Sequence, residues 1–497
     1  MPSIRKTKTA SGAVAVQVVR YENRKVIIMK HVGSAHTPDE VAALVESAEA
    51  WIVRETLQPA LFARPSRRTI ALSRARYVGV RHMFAYDTIS AIAIRMGFSA
   101  LHTPLLLDLA LMRLIEPSSK LRAITLMERY FGLHYAERTV YRTLPKLHDR
   151  KVEAETIAVA WAKRGLSADL ALVLYDVTTL YFETFDADEL RVPGFSKDNK
   201  SQQPQIVVGL LVTREGFPLG YEVFKGNTFE GKTMLPVLKA FAARHEVATP
   251  TVVADAAMIS RANVAELQMH RFSYIVGARL ANASPTVIAM ASAALARKDG
   301  ATTRLSTDHG DLVVSFSAKR YRKDKHEMEK QIAKAEALVG KGEPGKRAKF
   351  VTRKDDAGAY AIDDALIAKT KLLLGMKGYY TNIPQATLDD RAVVERYHDL
   401  WHVEAAFRMA KSDIETRPIF HYKEDAIRAH MVVCFIALAI GKYLEIATGV
   451  SLRRIVDILW SVTEARIIDT AVAEEFILRS ELGEDVCAIL KKLGLSY

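Results

Sequence analysis

A chain of 497 residues with 49% hydrophobic residues is long enough for two to four domains with their own cores. Its 70 Lys and Arg against 57 Asp and Glu leave a formal charge of +13, a balance that suits a polyanionic partner. Cys434 and Cys487 are the only cysteines, which excludes a disulfide framework or a zinc-finger spacing and fits a reducing cytoplasm.

The basic charge is concentrated: residues 1–150 hold 23 Lys and Arg against 12 Asp and Glu. The N-terminus is polar and basic, without the apolar core of a signal peptide. Residues 13–31 alternate as two strands around Glu22-Asn23. Thr37-Pro-Asp-Glu opens a helix, with Thr37 as cap and Glu40 closing the capping box. Between Arg54 and Arg81 seven arginines, among them Arg67, Arg68 and Arg74, face a single acidic residue, Glu55. Such a segment suits a phosphate backbone, and equally a solvated helix edge. From Pro104 to Leu147 the pattern gives three helices, the third presenting Arg138, Thr139, Tyr141, Arg142 and Lys146. A helix-turn-helix reader has this layout, and so does an ordinary helical bundle. Residues 1–165 are thus expected to be a basic, mostly helical DNA-binding region with a short β-hairpin.

After Ser167 the pattern changes to short apolar runs. Ala171 to Tyr175 is a buried-strand candidate ending in Asp176. Pro204–Val212 and Leu219–Phe224 flank a hairpin turn at Glu215-Gly216, and a helix follows over 231–244. Thr251–Ala254 is a further strand, ending in Asp255; a helix and a strand over Phe272–Gly277 follow. Strand, hairpin, helix, strand, helix, strand is the order of an RNase H-like domain, an α/β fold with a mixed sheet flanked by helices. That domain is expected over 166–280 and 377–450, interrupted by an insertion at 281–376 before the catalytic helix. The insertion holds a very basic stretch: 319–354 carries 13 Lys and Arg, including Arg320, Arg322 and Lys323, against 5 Asp and Glu. Residues 424–447 form a second helix, whose longest apolar run, Met431 to Ile440, is far too short to span a bilayer. A helical tail over 451–497 completes the chain, and no membrane association is expected.

The stretch from Tyr397 to Lys411 lacks Gly and Pro and reads as one helix. Seven residues make two turns with a drift of about 20°. Tyr397, Glu404 and Lys411 then stack on one face, roughly 10 Å apart at about 1.5 Å per residue, with Arg408 beside them. A carboxylate, two cations and a phenol in line could hold a metal ion beside a phosphodiester; a solvated amphipathic helix has the same spacing. His398 and His402, at i and i+4, have zinc-ligand spacing but lie off the Glu404 face with no third ligand there.

Tyr, Trp, Glu, Phe-Arg and Lys at these intervals resemble the Tyr-Arg-Glu-Lys signature of bacterial insertion-sequence transposases of the DDE type. Tyr175-Asp-Val-Thr-Thr-Leu-Tyr-Phe-Glu183, Gly194-Phe-Ser-Lys-Asp198 and Pro204-Gln-Ile-Val-Val-Gly-Leu-Leu211 resemble the first-Asp region of that family. Gly226-Asn-Thr-Phe-Glu230 and Val253-Ala-Asp-Ala-Ala-Met-Ile-Ser260 follow in the family order, with Ala256-Ala257 where many relatives carry a Gly. The resemblance covers roughly 170–280 and 378–440. It implies that Asp176, Asp255 and Glu404 are the catalytic and metal-binding carboxylates, and that Tyr397 and Lys411 handle phosphate. The family's Arg position falls on Leu400; Arg396 or Arg408 stands near enough to substitute.

Three converging carboxylates repel one another unless a cation fills the cluster, and hard oxygen ligands suit Mg2+ or Mn2+. Two such ions, roughly 3.5–4 Å apart, activate a water or 3′-hydroxyl and stabilise the leaving oxygen. The expected protein is therefore a DNA transposase that cuts the terminal inverted repeats of its element and joins them to target DNA. It is expected to act as a homodimer on double-stranded DNA in the bacterial cytoplasm, at the nucleoid. An RNase H-like nuclease without strand joining, and an inert DNA-binding descendant of a transposase, remain the alternatives.

Overall fold

The computed structural model describes residues 2–22, 25–56, 72–196, 200, 202–247, 249–258, 260–340, 348–353, 360–470 and 472–496. In chain order the first elements are β1 (Pro2–Lys8), β2 (Val14–Glu22), β3 (Lys25–Ala35), α1 (Pro38–Thr56), β4 (Ala75–Arg81) and α2 (Met83–Met96). Next come α3 (Pro104–Ile115), α4 (Lys120–Leu126), α5 (Glu137–Thr143), α6 (Lys151–Gly165), β5 (Leu172–Tyr181), β6 (Gln205–Val212), β7 (Pro218–Lys225) and α7 (Met234–His245). They are followed by β8 (Thr251–Ala254), α8 (Arg261–Met269), β9 (Ser273–Ala278), α9 (Pro285–Ala294), β10 (Thr302–Thr307), β11 (Gly310–Phe316), α10 (Ala318–Gly340), β12 (Val351–Arg353) and β13 (Tyr360–Ile362). The chain ends with α11 (Asp364–Leu373), β14 (Met376–Thr381), α12 (Asp390–His398), α13 (Trp401–Arg408), α14 (Glu424–Thr448), α15 (Leu452–Trp460), β15 (Glu464–Asp469), β16 (Glu474–Arg479) and α16 (Glu484–Leu493).

Two compact units result: Met1–Thr88 with Ile124–His134 and Val456–Tyr497, and Ile89–Ala123 with Tyr135–Ile455. In the first, β1, β2 and β3 form an antiparallel sheet rather than a lone hairpin. Alternation puts Val16 and Val18 of β2 on the face that α1 covers with Leu44 and Ala48. The expected capping box starts α1: Glu40 N–H donates to Thr37 Oγ1 (3.3 Å), and Thr37 N–H donates back to Glu40 Oε2 (3.2 Å). The C-terminal segment, expected to be a helical tail, instead carries the hairpin β15–β16, and β15 pairs with β4. Boundaries placed at 165 and 451 therefore do not follow the fold. Like residues come in runs here, Ile467-Ile468, Glu474-Glu475 and Phe476-Ile477-Leu478, which hides the strand alternation that would have revealed this hairpin.

The second unit is built on an eight-stranded mixed sheet in the order β10-β11-β14-β9-β8-β5-β6-β7, flanked by helices. β5 runs parallel to β8 and β8 to β9; all other neighbours are antiparallel. The segment expected as a separate insertion contributes β10 and β11 to this same sheet, so it is not detached from it. Residues Thr302–Thr307 read Thr-Thr-Arg-Leu-Ser-Thr, an edge strand with almost no apolar signal. Beyond β11, α10 and α11 build a small core of Met328, Ala335, Phe350, Ile367 and Leu374.

α14 is long and apolar enough to cross a bilayer by length and composition, with mean hydropathy 1.8, although 78% of that window is buried inside the protein. It is a core helix, packed on α3 and β7. It ends at Gly449, whose left-handed φ of 69° lets its N–H close on the Glu445 carbonyl.

Candidate active site

β5 buries Tyr175 and Val177 on one face and turns Asp176 to the other, as alternation requires. Tyr175 looks toward Thr233, ahead of α7. The opposite face, through Thr178, Leu180 and Leu210, meets Phe407 and Met431 of the α13–α14 side. Asp176 was expected just past the end of its strand; it lies inside β5, which continues to Tyr181 because β6 pairs with it as far as Gln205. What ends here is the neighbour. β8 stops at Ala254, the partner of Tyr175, so Asp176 and Asp255 are the next residues along two adjacent parallel strands. The sheet splits at that point, and a carboxylate stands on each side of the split.

The helix that crosses this face is not continuous. Tyr397–Lys411, expected as one helix, consists of the end of α12, a tight turn at Asp399-Leu400, α13, and a wider π-type turn over Met409–Asp413. No Gly or Pro marks the break. Asp399 accepts from Arg214 Nε at 2.8 Å, in the β6–β7 turn. In the same turn Gly216 takes φ 85°, and a Cβ there would lie 3.0 Å from the His402 carbonyl oxygen. Leu400, expected to fall at the signature's Arg position, is buried, 8% exposed. On the two sides of the turn, α12 packs on β8, β9, β10, β11 and β14, and α13 on β5 and β6. Arg304 of β10 staples the start of α12, donating to Asp390 (2.7 Å) and to the carbonyls of Ile383 (2.9 Å) and Leu388 (3.0 Å).

Tyr397, expected to touch phosphate, does something else. It is only 7% exposed, and its hydroxyl donates to Asp255 Oδ1 at 3.0 Å. A Cβ on Gly277 of β9 would lie 2.5 Å from that hydroxyl, so the glycine makes the approach possible. The ring leans on Tyr379 (4.9 Å, 60°), and Lys377 Nζ sits 4.4 Å from its centroid. Burial, and then the Asp255 carboxylate, push the hydroxyl well above the ordinary tyrosine range, so it stays a donor.

Glu404 is exposed on α13. Lys377 of β14, unremarked in the sequence, lies within electrostatic reach of both Asp255 and Glu404. Burial and then Arg320 lower its pKa, while the two carboxylates act against that shift. A lysine inside the otherwise apolar run Met376–Thr381 was the available signal. Among the described residues, no three His, Cys, Asp or Glu side chains stand close enough to hold one metal ion. The structure thus brings Asp176 and Asp255 to adjoining strand positions and Glu404 to the helix over β5, without closing them into one ligand set.

A cleft of about 520 Å3 opens beside Asp255 and Tyr397, with Arg279, Arg320, Lys349, Lys369 and Lys377 in its wall. Arg320 comes from the basic helix α10; Arg322 and Lys323 are exposed on the same helix. Arg138 and Arg142 are exposed on α5, Arg408 is exposed on α13, and Lys411 is half-buried. Arg74 departs from expectation: its side chain is 13% exposed and lies 3.8 Å from Asp469, the β15 residue opposite Ala75. It braces β4 against β15 and leaves no open fork for phosphate. Arg67 and Arg68 lie outside the described residues.

Residues 172–440 match the family described as the transposase DDE domain. No curated protein matches the chain. Among solved structures, the piggyBac transposase synaptic complex with hairpin DNA is similar at 10% identity and a TM-score of 0.38, over 85% of this chain and 77% of that one. That likeness is too low to bear on individual residues. The family match spans more than half of the sequence and includes Asp176, Asp255 and Glu404: the chain belongs to the DDE transposase family.

Proposed function

We propose that this transposase cleaves and joins DNA with Asp176, Asp255 and Glu404 as its catalytic carboxylates. The observation that carries the reading is the split between β5 and β8, which puts two aspartates side by side with Tyr397 fixing one of them. The order β7-β6-β5-β8-β9, antiparallel on one side of β5 and parallel on the other, supports an RNase H-like core. Tyr397, Glu404 and Lys411 keep the family spacing of a Tyr-Arg-Glu-Lys signature, which favours a bacterial insertion sequence as the source. The substrates are then terminal inverted repeats and target duplex, engaged by a homodimer at the nucleoid of the bacterial cytoplasm.

The donor set fits a hard cation: three carboxylates, two of them exposed and one half-buried, with no Cys or His grouped with them among the described residues. Asp176, Asp255 and Glu404 would hold Mg2+ or Mn2+, in all two ions, which supply the activation of a water or 3′-hydroxyl and the neutralisation of the leaving oxygen. Glu404 would have to approach the aspartates for this, and a shift of α13, short and set off by the turn at Asp399-Leu400, would bring it there. Tyr397 keeps the Asp255 carboxylate aimed by donating to one of its oxygens. Lys377 places positive charge within electrostatic reach of both Asp255 and Glu404 and lines the cleft through which a strand would reach them. Arg408, Lys411, Arg138, Arg142, Arg320, Arg322 and Lys323 contact the backbone of the DNA; their exposure or half-exposure supports this.

The test pairs gel-shift binding with Mg2+-dependent nicking on one element-end duplex. Glu404→Gln and Asp176→Asn keep side-chain size and remove a charge that the metal needs, so binding should survive while nicking falls to background. Wild-type nicking by Glu404→Gln would remove Glu404 from the catalytic set. Nicking without joining to a second duplex would make the protein a nuclease, and binding without nicking in the wild type would make it an inert descendant.

A further inference from the structure

Away from the carboxylates, the larger unit buries a group of basic side chains. Lys120, the first residue of α4, is 4% exposed, and its Nζ lies 3.1 Å from His430 Nδ1 on α14. His430 is 1% exposed, and its Nε2 lies 3.0 Å from the Thr416 carbonyl oxygen. Only an N–H can satisfy a carbonyl, so Nε2 carries the proton and Nδ1 accepts from the lysine. Arg113 of α3 is 6% exposed and donates to the Glu415 carbonyl at 3.1 Å. Among the described residues neither Lys120 nor Arg113 forms an ion pair with a carboxylate; Glu116, close by in the chain, is taken by Arg122. Buried cations without a counter-charge are costly. Burial, with Arg113 adding repulsion, accordingly pushes the Lys120 ammonium down to about 7.

These groups are not sealed in. Arg113, Lys120, His430 and His421 line a cavity of about 60 Å3 whose other walls are Ser119, Tyr141 and Phe420. That exceeds the roughly 10–15 Å3 required by one water. Tyr141 and Phe420 are 45% and 59% exposed and Ser119 is exposed, so the cavity has a polar, basic floor and a mouth at the surface. Tyr141 shares α5 with the exposed Arg138 and Arg142, and Tyr422, 66% exposed, is two residues from Phe420. Aromatic rings beside exposed arginines are the surface a nucleic-acid strand selects.

We propose that Arg113, Lys120 and His430 form a seat for one phosphate group of a DNA strand, entered past Ser119, Tyr141 and Phe420. The phosphate supplies the counter-charge that the buried cations lack, and its hydrogen-bond acceptors meet the lysine and arginine donors. Phe420 and Tyr141 flank the neighbouring sugar and base. The choice of DNA over a free anion rests on the transposase reading above; the seat itself does not.

Two measurements on the full chain separate these. Thermal unfolding with inorganic phosphate, against chloride at equal ionic strength, should show a saturable rise in Tm for the wild type and none for Lys120→Met. The salt dependence of end-duplex binding should then be shallower in Lys120→Met by roughly 0.9 in the log–log slope, one lost phosphate contact. Phe420→Ala, which removes a 59% exposed ring at the mouth, should weaken duplex binding while keeping the phosphate-induced rise. No phosphate effect on the wild type beyond that of chloride overturns the seat. A phosphate effect with an unchanged DNA slope overturns DNA as its occupant in favour of a free anion. Absence of any DNA binding or nicking by the wild type would be a failure of the transposase reading, which the phosphate titration registers separately.

Discussion

At the scale of single residues, the site is organised by a hydroxyl rather than by a charge. Tyr397 is buried beneath Lys377 and beside Tyr379, and its one polar atom is spent on Asp255. Tyr397→Phe keeps the ring and its packing and removes only that donor. A hydrogen bond to a charged group is worth about 1.5–3 kcal/mol, so nicking should fall by roughly 10- to 100-fold with end binding unchanged. An unaltered nicking rate would mean that Asp255 needs no such support. Lys120 gives a prediction in pH. Its folded pKa, about 7, is below its ordinary 10.5, so between these values the unfolded chain holds a proton that the folded chain has lost. Stability therefore rises with pH across that window and is flat below about 7, where both states are protonated. The facing groups are Arg113 on α3, His430 and Cys434 on α14, and His421 before it. Denaturant midpoints at pH 7 and pH 9 should separate for the wild type by more than for Lys120→Met, and equal separations would show that the lysine is not the source.

At the scale of elements, much of the central sheet was legible and the broken helix that carries Tyr397 and Glu404 was not. β5, β6, β8 and β9 announce themselves as largely apolar runs bounded by turns because they lie inside the sheet with both faces covered, and β7, though at the sheet edge, buries most of its residues as well. The break at Asp399-Leu400 left no local trace, and the groups packed against it, Arg214 and Gly216, lie about 185 residues away on the β6–β7 turn. The position of Tyr397 was equally hidden, since it depends on a missing Cβ at Gly277. The two supports of the break should differ in strength. Arg214 is 53% exposed, and a surface ion pair contributes about 0.2–1 kcal/mol; Arg214→Ala should barely move the denaturant midpoint. Gly216→Ala meets both a left-handed φ and the His402 carbonyl, and a side chain forced into such a φ costs more than about 1 kcal/mol. If α13 is aimed by this turn, Gly216→Ala should also depress nicking, because Glu404 rides on α13. The reverse ranking in stability would place the support in the ion pair instead.

At the scale of the whole molecule, charge was readable from the sequence while its division was not. A net +13 says that an anion is near, but Arg74 and Arg320, drawn from two basic segments, are put to opposite uses: one braces β4 against β15, the other lines the cleft beside Asp255. Counting cations therefore overstates the number of phosphate contacts. The salt dependence of end binding measures the true number, since each contact contributes roughly 0.9 to the log–log slope on duplex DNA. Replacing Arg320, Arg322 and Lys323 together by Ala should lower the slope by about 2–3, because all three are exposed on α10. Arg74→Ala should leave it unchanged and instead lower the denaturant midpoint, because it removes a positive charge 3.8 Å from the Asp469 carboxylate, whose side chain is only 5% exposed. A slope that falls with Arg74→Ala and holds with the α10 triple variant would reverse the assignment, moving the DNA path away from the cleft wall and onto the strand that Arg74 braces.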